Sequence, residues 1–168
     1  MDELVRFIHE VGSLKLVPRS GWLKLGFKLP ESVAEHSFRT AVIAFILALK
    51  GGRSLDEACR AAVAALFHDM HEARTMDLHK IARNYVDIDA EKAWRDQLAQ
   101  LGVDLDFSDV ESFVRDADKL ELAFQAVEYA EINPQAMSFA ENIVLETEVG
   151  RQIYASLMER RDPRWWIR

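Results

Sequence analysis

The chain has 168 residues, 49% of them hydrophobic, enough for one well-buried core and not for two, so a single domain over residues 1–168 is expected. A formal charge of -7 repels phosphate polymers over most of the surface; this argues against nucleic-acid strands and anionic membranes as partners and leaves room for a small anion in a local positive pocket. The lone Cys59 permits no intrachain disulfide, the opening Met-Asp-Glu carries no basic-then-apolar signal, and the apolar run Ala41–Leu49 falls far short of the roughly 20 residues of a membrane span, so a cytoplasmic setting is expected.

Leu4, Val5, Ile8 and Val11 share one face of a helix from Asp2 to about Leu16. Residues 18–30 hold Pro18, Gly21, Gly26 and Pro30 without a helical period, which predicts an ordered loop with at most a short strand. Its Arg19 and Trp22 suit an anion-and-ring clamp, a cation–π surface pair, or a Trp plugging the edge of the core. Ser32-Val33-Ala34-Glu35 is a capping box, in which a hydroxyl and a carboxylate each take up a free backbone N–H. It starts a helix that runs to about Lys50 and stops at Gly51-Gly52. Ser54-Leu55-Asp56-Glu57 repeats the device and launches an Ala-rich helix expected to reach His68 and Asp69 in its last turns. Lacking a polar face, that helix is expected to be buried on most sides, with Cys59 as a small core residue.

Between Ala73 and Asp87 the pattern weakens into a loop with a short helical turn. Asp89 caps a helix from Ala90 to Leu101, closed by Gly102, and a third box, Ser108-Asp109-Val110-Glu111, opens the longest helix, to about Asn133. On it Asp118, Glu121, Gln125 and Glu128 recur every three or four residues. Such a stripe suits a solvated face for Glu121 and Glu128 as well as an inward row, whereas Asp118, among Phe113, Val114, Ala117, Leu120 and Leu122, reads as inward. A last helix, about Glu146 to Arg161, presents Val149, Ile153 and Leu157, and the aromatic tail at Trp165-Trp166 is expected to pack on the body or a second subunit. No strand alternation and no repeat appears, so the fold class is all-α, a bundle of about six helices.

Isolated polar groups interrupt the apolar pattern. His68-Asp69 closes the run Ala61–Phe67, His36 precedes the run Ala41–Leu49, and Asp118 sits inside the long helix. An unpaired buried carboxylate costs several kcal/mol, and neutral imidazoles with carboxylates suit a divalent cation. His68 and Asp69, about 100° apart around a helix axis, can reach one point beside the helix end, with His36 and Asp118 approaching from other helices.

An ordered His…His-Asp…Asp set on helices resembles the HD-domain metal-dependent phosphohydrolases. The strings Pro18-Arg19-Ser20-Gly21-Trp22, Pro30-Glu31-Ser32-Val33-Ala34-Glu35-His36, His68-Asp69-Met70-His71-Glu72 and Asp77-Leu78 are similar to the 5'-deoxynucleotidase branch, over about Leu14 to Tyr129. The resemblance implies an HD-domain helical bundle in which His36, His68, Asp69 and Asp118 hold one divalent cation, Mn²⁺ or Co²⁺ ahead of Mg²⁺, Zn²⁺, Fe²⁺ or Ni²⁺. It places Glu72 and Asp77 near the phosphate as catalytic residues and Arg19 and Trp22 near the nucleotide, and it implies a homodimer. Met76 departs from the glycine that relatives usually carry before the Asp, and Ser20-Gly21 separate an Arg and a Trp that are adjacent in the bacterial branch. His71 and His79 have no matching family histidine and are expected not to be ligands.

Four protein ligands on a cation of octahedral preference leave two positions, for a phosphate oxygen and a water. The implied reaction is release of phosphate from nucleoside 5'-monophosphates, the 2'-deoxy forms foremost, with Arg19 neutralising phosphoryl oxygens and Glu72 or Asp77 moving protons. One rival is an HD-type phosphodiesterase or polyphosphorylated-nucleotide hydrolase, which a second metal near His71 or His79 would favour. Another is a nucleotide-sensing module without turnover, against which Glu72 and Asp77 argue.

Overall fold

The structure is a computed structural model and describes residues 1–167. Its helices are α1 (Asp2–Gly12), α2 (Ser20–Leu23), α3 (Val33–Lys50), α4 (Leu55–Phe67), α5 (Glu72–Thr75), α6 (Ala90–Leu98), α7 (Glu111–Ala130) and α8 (Glu148–Arg160), joined in places by 3₁₀ turns. The fold is all-α, as expected; among the described residues the only strand-like feature is an isolated bridge between Pro18 and Ser32. Six of these helices are long, and the two extra ones, α2 and α5, are single turns, too short for a repeating apolar face to announce them. None is long and apolar enough to cross a membrane.

The boundaries follow the caps. Ser32 N donates to Glu35 Oε2 at 2.7 Å while Glu35 N donates to Ser32 Oγ at 3.2 Å, and Ser54 and Glu57 repeat this at 2.9 and 3.2 Å. Asp89 Oδ1 accepts from Lys92 N at 2.8 Å to start α6. The box expected at Ser108 does not start α7. Its N-cap is Val110, without a side-chain cap, and Asp109 instead takes the Arg60 guanidinium at 2.8 and 3.2 Å. Likewise α4 stops at Phe67, so His68 and Asp69 lie in the turn after it rather than in its last turns.

The chain is built as two compact units, one of residues 1–38 and 66–106, the other of residues 39–65 and 107 onward. In the first, Phe7, Met70 and Leu98 form one core with Phe67 and Trp94, and Leu14, Val17 and Val33 form another. The α1 face read from sequence is corrected here: Leu4, Val5 and Ile8 are exposed, and Phe7 is the buried residue. Glu10 accepts from Arg74, Gln97 and Gln100, tying α1 to α5 and α6.

In the second unit, Ala44, Leu47 and Ala48 of α3, Ala58, Ala61 and Ala65 of α4, and Phe113, Ala117 and Leu120 of α7 form the core. Alanine lets helix axes approach at the close end of the usual 8–10 Å range. Ala58, Ala61, Ala64 and Ala65 are the buried residues of α4; Leu55, Cys59 and Val63 are exposed, which corrects the reading of α4 as buried on most sides. The polar stripe of α7 turns inward onto Arg39, whose Nε, Nη2 and Nη1 donate to Glu121 at 2.9 Å, Gln125 at 2.7 Å and Glu128 at 2.5 Å. Asp116, buried, accepts from Thr147 N and Thr147 Oγ1, both at 2.7 Å, and fixes the start of α8. Trp165 and Trp166 are exposed and pack on each other edge to face, 6.0 Å apart, rather than on the body.

Candidate active site and metal centre

His36 stands in the first turn of α3, where its N–H donates to Ser32 O at 3.0 Å, so the Ser32 capping box also aims the imidazole. The ring is fully buried, at 0% exposure. The turn after α4 brings His68 and Asp69 to it: the ligand atoms of His36, His68 and Asp69 all lie within 4.8 Å of one another. Asp69 Oδ2 is 3.2 Å from His68 Nε2 and 3.6 Å from His36 Nε2, with the two rings 5.4 Å apart. Arg19 Nη1 approaches the same oxygen at 3.4 Å. Against its burial, the charges of His68, Arg19 and His36 hold Asp69 well below the usual carboxylate range, so it is an anion at neutral pH. Two imidazole nitrogens and a carboxylate oxygen converging on one point fit a divalent cation of borderline hardness.

The loop before α3 supplies the next residues. Asp77 Oδ2 accepts from Ser20 N at 2.8 Å and lies 3.9 Å from Arg19 Nη1. Trp22 is 1% exposed, with its Nε1 donating to Glu31 Oε1 at 2.9 Å and its ring edge-on to Phe27 at 6.5 Å. Glu31 O also accepts from Arg19 N at 2.9 Å, so one residue pins both the Trp and the Arg of this loop. Next to Asp77, Met76 has φ 64° and ψ 158°, a region that a side chain enters only under strain of about 1–3 kcal/mol.

Glu72 opens α5 and is 1% exposed, with no hydrogen-bond partner for its Oε2. Burial, then the neighbouring Asp69 and Asp77 carboxylates, push it up to about 8. Arg19 and Arg83 act the other way. Beside it lies a cavity of about 400 Å³ whose lining includes Asp69, His71, Glu72, Met76, Arg83 and Ile88. That volume, with a few polar groups converging among apolar ones, is the form of a small-molecule site.

Two comparisons decide the family: the HD domain pattern matches residues 11–106, and the 5'-deoxynucleotidase HDDC2 of Xenopus laevis is 34% identical over 146 residues, 77% of this chain and 70% of that protein. The chain belongs to the HD-domain family. The Mus musculus protein of the same name is 31% identical over 145 residues, 77% of this chain and 71% of its own. Among solved structures, a coding region of Archaeoglobus fulgidus is 58% identical with a TM-score of 0.86, over 99% of this chain and 100% of that one. A crystal structure from a genomics project is 66% identical with a TM-score of 0.97, over 99% of both chains.

An HD domain implies a bound divalent cation, and a cluster fit to hold one is present in this chain. Of the site residues read from sequence, the HD domain brings together His36, His68, Asp69, Arg19 and Asp77, with Glu72 on the adjoining cavity. Trp22 is buried beneath the loop, and Asp118 stands half-buried on α7 in the second unit. Glu31, the Ser20 amide and Arg83 were not singled out by sequence. A backbone amide leaves no trace in composition, and Arg83 lies where periodicity fades. His79 Nδ1 accepts from Ala82 N at 3.2 Å and so caps the 3₁₀ turn Ala82–Asn84.

Proposed function

We propose that this HD domain is a metal-dependent 5'-deoxynucleotidase, a phosphomonoesterase acting on nucleoside 5'-monophosphates. The observation that carries the proposal is the convergence of His36, His68 and Asp69 within 4.8 Å, with Asp69 also lining the adjoining cavity beside Glu72, in a chain whose relatives are named 5'-deoxynucleotidases. His36, His68 and Asp69 hold the cation, Mn²⁺ or Co²⁺ first, and the order of the family motif assigns Asp118 as the fourth ligand. A divalent cation bound there supplies Lewis acidity to the phosphoryl group and to a water nucleophile. Arg19 turns its guanidinium to the non-bridging oxygens. The Glu72 carboxyl, pushed up to about 8, holds a proton to pass to O5' as the P–O5' bond breaks, and the Asp77 carboxylate takes one from the attacking water. Trp22 fixes the loop that carries Arg19.

The proposal extends to the setting of the molecule. A length and hydrophobic content sufficient for one core support one domain over residues 1–168. An exposed apolar row on α3, Val42, Ile46 and Leu49, offers a face for a homodimer. A lone Cys59 suits the cytoplasm. The capping role of His79 speaks against that residue as the ligand of a second metal. Phosphate release with Mn²⁺ from a deoxynucleoside 5'-monophosphate, its ribo counterpart, the 3'-monophosphate, a cyclic nucleotide and a triphosphate tests the assignment. The 5'-monophosphates are expected to lead. Preference for the cyclic nucleotide or triphosphate would overturn it, and tight binding without turnover on any of them would favour the sensing module.

A further inference from the structure

We infer that Arg83 is a substrate-binding residue of this site, its guanidinium tip taking two oxygens of the 5'-phosphate. The role rests on the monoesterase reading above.

The charges of the cavity give the first reason. Its lining holds three carboxyl groups, Asp69, Glu72 and Asp87, and Arg83 is its one Lys or Arg side chain. A phosphomonoester enters as a dianion, and among three carboxyl groups such a charge needs a cationic partner. Arg19, assigned above to the phosphoryl oxygens, is shared with Asp69 and Asp77 at 3.4 and 3.9 Å, so it alone does not neutralise the dianion. Among the described residues Arg83 has no carboxylate within ion-pair distance, and its single side-chain hydrogen bond, to Leu78 O at 2.8 Å, uses Nε. The Nη1–Nη2 edge is therefore left for a ligand, and two parallel N–H donors on one plane match two oxygens of a phosphate.

The second reason is that the position is built rather than floating. Arg83 lies in the 3₁₀ turn Ala82–Asn84, which His79 caps through Ala82 N and to which Arg83 N adds a bond with His79 O at 3.2 Å. The Leu78 carbonyl that anchors Nε belongs to the residue after Asp77, itself held by Ser20 N beside Arg19. Both arginines thus depend on the one loop at Asp77 and Leu78, so substrate capture by Arg83 is coupled to the placement of Arg19.

A purely structural latch on Leu78 O is the competing role, and chemistry separates the two. In Arg83→Gln the side-chain amide nitrogen occupies the place of Nε and keeps the latch, while the charged tip is gone; Arg83→Lys keeps a charge and loses the fork. With the Mn²⁺-loaded protein, Arg83→Gln is expected to raise both the KM for a deoxynucleoside 5'-monophosphate and the inhibition constant of inorganic phosphate by roughly 10- to 100-fold, with kcat within about threefold and an unchanged melting temperature. Arg83→Lys should recover part of the loss. Unchanged KM and unchanged phosphate inhibition in Arg83→Gln would overturn the inference and leave Arg83 a latch. Calorimetric binding of inorganic phosphate to wild type and Arg83→Gln decides the same point without turnover, so a wild type that hydrolysed no nucleotide would refute the monoesterase and not the phosphate contact.

Discussion

Glu72 shows how one buried carboxyl is prepared for proton transfer. It follows His68 by four residues, but α4 ends at Phe67, and the turn through Asp69, whose carbonyl accepts from Glu72 N at 3.0 Å, sets its position. Replacing it by Gln keeps the volume and removes the exchangeable proton, so Glu72→Gln should bind metal normally and lose roughly 10²–10⁴ in kcat. Stability carries a second signature. The folded protein holds this proton up to about 8, whereas the unfolded chain releases it near 4.5, so between those values the folded state binds more protons and metal-free stability falls as pH rises. Urea unfolding of chelator-treated protein across that range should show the decline in wild type and a shallower one in Glu72→Gln; superimposable pH slopes would refute the buried-acid assignment. His36, His68 and Asp69 were legible because each breaks an apolar run. The acids of α7 were harder, since spacing alone does not tell Asp116, buried and occupied with the start of α8, from Asp118, one residue pair further on.

Capping chemistry made the helix starts readable, because a Ser and a Glu three residues apart have few other uses. It failed at Ser108, where Asp109 is drawn to Arg60, and it could not announce α2 or α5. Caps also dictate an unusual intolerance of a side chain at Gly150. A Gly→Ala change inside a helix ordinarily gains up to about 1 kcal/mol. Here the added Cβ would meet Thr147 Oγ1 at 2.7 Å and Asp116 Oδ2 at 2.9 Å, the two oxygens that cap α8 and anchor it to α7. Gly150→Ala is therefore expected to destabilise by about 1–3 kcal/mol in denaturant titrations. A gain in stability would show that the Asp116–Thr147 cap is easily displaced. The inward stripe of α7 has a similar basis: one guanidinium, Arg39, offers enough donors to hold Glu121, Gln125 and Glu128 together, and a partner 82 residues away cannot be read from the stripe itself.

For the molecule as a whole, a net charge of -7 and a site built from acids and imidazoles make a phosphate ester an unfavourable guest until positive charge is present. Composition argues against polymers and membranes, and family order names a cation. Neither could reveal that Arg19 is paired with acids before substrate arrives, a property of the folded loop. The central claim is that one divalent cation at His36, His68 and Asp69 makes this HD domain a phosphomonoesterase. Its most direct test is a titration of chelator-stripped protein with Mn²⁺, following phosphate release from a deoxynucleoside 5'-monophosphate against bound metal. Turnover should rise in proportion to a plateau at one equivalent per chain, and His68→Ala should lose both the metal and the turnover; full activity in the stripped protein, or a rise that continues to two equivalents, would contradict the claim.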